Sequence, residues 1–134
     1  MTTTANLNVT NLTVNQNNPD VVENEAKAIF DAAIAGALVH NMASDADNTL
    51  DTATGAAPFE WQNAVINVTD SGVLLTVTRN IITPDYNKVY IFKNDTAQSL
   101  VLKTSAGTGI TVATLKTAVL YCDGTNVIRI TADA

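Results

Sequence analysis

The chain has 134 residues, a formal net charge of −6 and one cysteine, Cys122. This length predicts one domain with a single core, and one cysteine excludes an intramolecular disulfide. The acidic balance argues against nucleic acid as a partner, because phosphate contacts need lysine and arginine. Charged residues make up 15% of the chain, fewer than in most soluble domains, which favours a protein that works inside an assembly.

The N-terminal segment, residues 2–18, carries no charge and is dominated by threonine, asparagine, alanine, leucine and valine. Its apolar residues alternate with polar ones in two short stretches, which predicts an extended arm with a bulged or edge strand. The segment has too few apolar side chains to fold alone, so we expect its own sheet or a neighbouring subunit to hold it. The predicted partner-binding residues of this arm are Leu7, Val9, Leu12 and Val14.

One helix is predicted over about residues 19–41. Asn18-Pro19-Asp20 is typical of a helix start, because Asn caps the first turn and Pro suits an early position. Apolar residues then recur at helical intervals and predict a stripe that packs on a sheet. The stripe consists of Val22, Ala26, Ile29, Phe30, Ala33, Ala37 and Leu38. Its small residues Ala33, Gly36 and Ala37 allow close approach of another backbone and form the second predicted partner-binding surface.

Residues 41–58 are rich in alanine, serine, aspartate and threonine and predict a linker. We therefore divide the chain into residues 1–58, with arm, helix and linker, and residues 59–134, an antiparallel β-module. Hairpins are predicted around Asp70-Ser71-Gly72, around Gly107 and Gly109, and around Asp123-Gly124; the last should adopt a type I′ turn. The fold class predicted is mainly β, an antiparallel β-sandwich or jelly-roll-like module.

No group of residues predicts catalysis. His40 is the one histidine, and a place near the predicted helix end would be favoured by the helix dipole alone. Cys122 stands in a predicted strand and is interpreted as a small buried hydrophobe. We therefore expect no enzyme activity, catalytic residue, cofactor or small-molecule substrate, and no membrane partner, since the apolar runs are too short to span a bilayer.

Asp45, Asp47 and Asp51 have part of the spacing of a calcium-binding EF-hand loop. Leu50 and Ala56 stand where that loop needs glycine and a bidentate glutamate. A solvated acidic loop without a metal is therefore the preferred interpretation.

The final third of the chain resembles a known β-module. The runs Val89–Asp95, Leu100–Gly109 and Val119–Val127 look like a module found in virion proteins of tailed bacteriophages, in tail and fibre chains and in small capsid-associated proteins. The resemblance covers about residues 60–131, and its most specific part is the Tyr-Cys-Asp-Gly-Thr-Asn-Val hairpin.

This resemblance implies a structural protein of a phage particle, made in the host cytoplasm and located on the capsid surface. Only one short helix precedes the module, which favours a capsid decoration or cement protein over a long fibre. Such a protein would bind and stabilise the shell of major capsid protein as a homo-oligomer, with a trimer favoured. The alternative is a head or tail fibre, or an adaptor, that contacts the host surface or the next virion component.

Overall fold

The computed structural model describes residues 3–4, 6–11, 17–51 and 57–132. Within these ranges it has one helix, nine strands and a short 3-10 turn at Glu60–Gln62. The mainly β class is therefore confirmed. The helix is α1 (Pro19–Ala35), and the strands are β1 (Ala37–Asn41), β2 (Asn48–Thr49), β3 (Val65–Thr69), β4 (Arg79–Thr83), β5 (Asn87–Asp95), β6 (Leu100–Thr104), β7 (Ile110–Val112), β8 (Thr117–Asp123) and β9 (Val127–Arg129).

The strands form two sheets. Sheet 1 has the order β1-β3-β5-β8-β9, and sheet 2 has the order β2-β4-β6-β7. The first six strands alternate between the sheets, and neighbours within each sheet are parallel. The chain therefore winds through three coils like a short parallel solenoid. Strands β7, β8 and β9 then pair antiparallel with β6, β5 and β8.

One hydrophobic core lies between the two sheets, as expected for a sandwich. Strand β5 shows how it is built, because its residues alternate between exposed and buried along most of its length. Trp61 of the 3-10 turn is also buried, and its ring stacks on Tyr86 with centroids 4.9 Å apart. The β-sandwich prediction is thus confirmed. The largest fully buried side chains include Trp61, Tyr90, Phe92, Met42, Leu50, Ile66, Leu75 and Ile81.

The parallel coils differ from the antiparallel module that the sequence predicted. No hairpin forms around Asp70-Ser71-Gly72; residues 71–78 instead lead the chain from β3 in sheet 1 to β4 in sheet 2. Gly72 lacks the positive φ of a tight hairpin turn. The Asp70 carboxylate accepts the backbone N–H groups of Leu75 and Ala97 and holds this crossover. The β6–β7 and β8–β9 hairpins are confirmed.

The loop between β8 and β9 is not the predicted type I′ turn, which needs two residues with positive φ. Gly124 has φ 88°, whereas neither Asp123 nor Thr125 has a positive φ. The Asp123 carboxylate accepts the N–H groups of Thr125 and Asn126 at 2.9 and 2.7 Å. The hydrogen bonds of the Asp123 side chain therefore stabilise this loop without a second residue of positive φ.

The helix is shorter than predicted. It ends at Ala35, and residues predicted as its last turn form β1. Gly36 has an extended backbone, with φ −67° and ψ 133°, and turns the chain into the sheet. Leu38 and His40 direct their backbone groups towards β3 and pair with it, and the weak helix propensity of Val39 and His40 agrees with a strand at this position. On the predicted stripe Ile29 is buried, whereas Phe30 is half exposed.

The boundary predicted at residue 58 stays a prediction. Strands β1 and β2 lie before it and pair with β3 and β4, which lie after it. Both sheets therefore draw strands from either side of the boundary.

The acidic loop after β1 is bonded to the chain around β4. The Asp45 carboxylate accepts a hydrogen bond from Arg79 Nε at 2.9 Å and further bonds from the N–H and hydroxyl of Thr76. Asp47 accepts the backbone N–H and the side-chain amide of Asn80, both at 2.8 Å. The bonds from Arg79 and then Thr76 lower the pKa of Asp45 to about 2.

These contacts predict a pH dependence of stability. The pKa of Asp45 lies below its ordinary value of 3.8 in the folded chain. The ionised Asp45 therefore stabilises the folded state above pH 3.8, and this stabilisation is lost as the pH falls towards 2. Asp45→Asn should unfold at a lower temperature than the wild type at pH 6, and the gap should narrow as the pH falls from 4 to 2. Thermal unfolding of both proteins across this range measures the difference between their unfolding temperatures. A difference that does not change with pH would contradict stabilisation by the ionised Asp45.

Candidate interaction surface

The outer face of sheet 1 carries exposed apolar side chains. Val39, Val89, Ile91 and Ile128 point outward and are 64%, 50%, 40% and 47% exposed. They lie on three strands of one sheet, β1, β5 and β9. Isolated exposed aliphatic residues are ordinary on proteins, but a contiguous group of them usually marks an interaction site.

The strand register shows that this surface is continuous. Ala37, Val65, Ile91 and Val119 are successive partners across β1, β3, β5 and β8. Val89, Tyr121 and Ile128 form the neighbouring row across β5, β8 and β9. Val39 lies two residues from Ala37 on β1, and its own row continues through the polar residues Asn67, Lys93 and Thr117. We call the two apolar rows, together with Val39, the outer apolar face. Its members are Ala37, Val39, Val65, Val89, Ile91, Val119, Tyr121 and Ile128.

The charges beside the outer apolar face are largely neutralised within the chain. Lys93 Nζ lies 2.6 Å from Asp95 Oδ2 on the same strand, and this bond lowers the pKa of Asp95. The Asp123 carboxylate accepts hydrogen bonds from the backbone N–H groups of Thr125 and Asn126 in the β8–β9 loop. The face therefore fits a partner surface that is apolar and carries little charge, since an unpaired charge opposite it would be desolvated at a cost.

The outer face of sheet 2 is different. Its outward positions combine polar and apolar side chains, with Asn80, Val101 and Thr111 forming one row across β4, β6 and β7. Lys103 stands in the next row, paired with Ile82. A face of mixed polarity suits solvent, so the two faces of the sandwich differ in the surroundings that they favour.

The predicted partner-binding residues fall in three places. Val9 is 4% exposed, and the carbonyl of Leu7 accepts a hydrogen bond from Gln62 Nε2 at 2.7 Å, so both contact their own chain. Ala33 and Gly36 are partly buried. Ala37 is exposed and belongs to the outer apolar face. Leu12 and Val14 lie outside the described residues.

A shallow cavity of about 520 Å³ opens beside the end of β4. Its ionisable lining residues are Asp85 and Tyr86, and its hydroxyl-bearing residues are Thr49, Thr83 and Ser105. Among the described residues that line it there is no histidine, cysteine or lysine. Asp85 is thus the one carboxylate beside the hydroxyl groups of the described lining residues.

The remaining reactive side chains are dispersed. His40 Nδ1 lies 3.0 Å from Glu60 Oε1, and β3 and β5 separate its strand from β8, which carries Cys122. Burial raises the pKa of the Cys122 thiol and lowers that of Lys88 to about 8. Lys88 Nζ lies 4.8 Å from the centroid of the Tyr90 ring, a cation–π contact that partly replaces its lost hydration.

Two negative findings apply to the described part of the chain. Its helix is too short and too polar to cross a membrane. Within the same residues, no three or more histidine, cysteine or acidic side chains are arranged to hold a metal ion. Asp45 and Asp47, considered above as calcium ligands, bond to Arg79, Thr76 and Asn80.

Sequence reasoning placed Val89 and Ile91 in a strand but missed the outer apolar face. The signal was present in β5, where Val89-Tyr90-Ile91-Phe92 is an unbroken apolar run. A strand with one solvated face alternates between polar and apolar residues, whereas an unbroken run predicts two apolar faces.

Comparison of the chain with protein-family models, with curated proteins and with solved structures gives no match. The proposals that follow are supported by the geometry of the chain and by the sequence resemblance described at the outset.

Proposed function

We propose that this chain is a non-enzymatic structural protein of a tailed-phage virion. In this proposal it is a capsid decoration or cement protein that binds the major capsid protein and stabilises its shell as a homo-oligomer. The outer apolar face is the surface that attaches to the shell.

The observation that carries the proposal is the contrast between the two faces of the sandwich. Sheet 1 presents two wholly apolar rows on its outer face, one across four strands and one across three, with a polar row beside them. On the outer face of sheet 2, each row combines polar and apolar side chains. Burying apolar surface contributes about 25 cal/mol per Å², so attachment through the outer apolar face is favoured. The mixed face would then remain in solvent.

A structural role also agrees with the chemistry of the described residues. The thiol of Cys122 is buried with a raised pKa, and the His40 ring is buried with one nitrogen directed at Glu60. Neither group lines the cavity at β4. Nucleophilic catalysis by Cys122 would need a base beside the thiol, and β3 and β5 separate its strand from that of His40.

The alternative is a head or tail fibre, or an adaptor protein. The three parallel coils favour it, because solenoids lengthen by stacking further coils of the same kind. In that case the chain would be present in a few copies for each particle. A decoration protein would instead occur in hundreds.

Binding to purified particles tests the proposal. Phage capsids lacking the chain are mixed with purified protein and sedimented, and bound copies are counted by quantitative gel staining. We expect saturation at a copy number that matches the capsid lattice. Saturation at a few copies would support the fibre or adaptor function, and absence of binding would contradict both.

A further inference from the structure

Strand β1 forms an open edge of sheet 1. It has β3 as its sheet partner and lies at the end of the strand order. Its residues 37, 39 and 41 are exposed, and Val39 is 64% exposed. The strand is five residues long and its one ionisable side chain, His40, is buried.

The backbone hydrogen bonds show which groups of β1 face outward. Val65 N–H donates to Gly36 O at 2.9 Å, and Met42 N–H donates to Thr69 O at 2.8 Å. Backbone groups of successive residues in a strand point in opposite directions within the sheet, so residues 36, 38, 40 and 42 bond towards β3. The N–H and C=O groups of Ala37, Val39 and Asn41 therefore point towards the open edge.

Natural sheets protect such an edge by charge, proline, a bulge or a covering element. Strand β1 has no proline, no bulge and no exposed charge. The opposite edge of sheet 1 is β9, and it is bonded to the segment that contains β7, the edge strand of sheet 2. Arg129 Nη2 donates to Thr111 O, and Val127 N–H donates to Thr108 O. In the described part of the chain, β1 is thus the longest edge strand, and none of these protective features is found on it.

The end of β1 is also held in place before any partner binds. Asn41 Oδ1 accepts hydrogen bonds from Thr69 Oγ1 and Ser71 Oγ at 3.2 Å. These bonds fix Asn41 to β3 and to the following crossover. An edge that is already ordered loses little conformational entropy when another strand pairs with it.

We propose that β1 pairs antiparallel with β1 of a second copy of this chain, about a two-fold axis at Val39. The outward backbone groups belong to residues 37, 39 and 41, which are spaced symmetrically about Val39. In this register each Ala37 meets Asn41 of the other copy, and Val39 meets its own equivalent. All three pairs are hydrogen-bonded pairs, so the edge is complementary to itself.

The chemistry of β1 favours a second copy over a charged partner. No like charges meet at the axis: the β-branched Val39 meets its own equivalent, and Ala37 meets the uncharged Asn41. Pairing would extend sheet 1 to ten strands. The two outer apolar faces would then join into one surface. A two-fold contact closes at two copies, in place of the trimer that the sequence resemblance implies.

The mass of the chain in solution tests this pairing, with no capsid present. By light scattering after size-exclusion chromatography, we expect the wild type to reach twice the 14.1 kDa of one chain as its concentration rises. Val39→Lys and Val39→Glu should each stay at the mass of one chain, because like charges would meet at the axis. An equimolar mixture of the two should recover the doubled mass. Val39→Thr, which keeps a β-branched uncharged side chain, is the matched control and should behave as the wild type.

Residue 39 points into solvent in the single chain, so these variants are expected to fold, and circular dichroism checks this. A wild type at the mass of one or three chains would overturn the pairing. So would either charged variant at the doubled mass, or a mixture that stays at the single mass. Binding to particles is measured separately, so failure of this pairing and failure of the proposed function are distinguishable.

Discussion

Replacing Asn94 by leucine is expected to destabilise the chain by about 3 kcal/mol, because several buried polar groups would lose their partners together. The Asn94 side chain is fully buried. Its Nδ2 donates to Gln98 O at 2.8 Å and to Val112 O at 3.0 Å. Its Oδ1 accepts the Thr96 N–H at 3.0 Å. This one side chain therefore joins the end of β5 to the following turn and to β7.

The matched control is Asn87→Leu, the same substitution at the exposed first residue of β5. We expect it to change the free energy of unfolding by no more than about 0.5 kcal/mol. Urea denaturation of the wild type and both variants measures the two differences. Equal effects of the two substitutions would contradict a structural role for the buried amide.

The second large effect is expected on attachment. Ile91→Lys places a charge at the centre of the outer apolar face, and burying that charge in an apolar contact costs about 3 kcal/mol or more. The affinity for capsids should therefore fall at least about 100-fold. Ile91 is 40% exposed in the free chain, so the lysine ammonium can reach solvent and the fold should be retained.

Thr111→Lys is the control for added charge, because Thr111 is exposed on the outer face of sheet 2. We expect it to bind capsids as the wild type does. Both affinities come from sedimentation with capsids that lack the chain. Equal loss in the two variants would indicate a general effect of charge, and loss in Thr111→Lys alone would place the contact on sheet 2.

Local sequence signals were sufficient for the strands from β5 to β9 and for two of the hairpins, whereas β1 was assigned to the helix and β2 to the linker. The runs in β6 and β8 are bounded by glycine-containing turns, and their partners follow at once in the chain. Such pairs depend on a few neighbouring residues, so alternation and turn chemistry identify them.

The parallel coils could not be predicted in the same way. Residues 65–69 and 73–79 resemble the two arms of a hairpin, and the choice between a hairpin and a crossover depends on distant groups. The Asp70 carboxylate bonds to Ala97, and Asp45 bonds to Arg79, in both cases more than 25 residues away. Contacts at that separation leave no periodic signal in a sequence.

The candidate surface was only partly predictable. Ala37 was predicted to bind a partner and does lie on the outer apolar face, but the sequence analysis assigned it to the helix and not to a strand. Val39 and Ile128 come from strands at opposite edges of sheet 1, so their membership of one surface depends on the order of strands. That order was available only from the fold.

The orientation of the chain on a capsid is the most direct test of this account. Electron cryomicroscopy of capsids saturated with the wild-type protein would show which side of the sandwich meets the shell. We predict that β5 and β8 present Val89, Ile91 and Tyr121 to the major capsid protein, with the outer face of sheet 2 in solvent. A reconstruction in which sheet 2 meets the shell and the outer apolar face stays in solvent would contradict it.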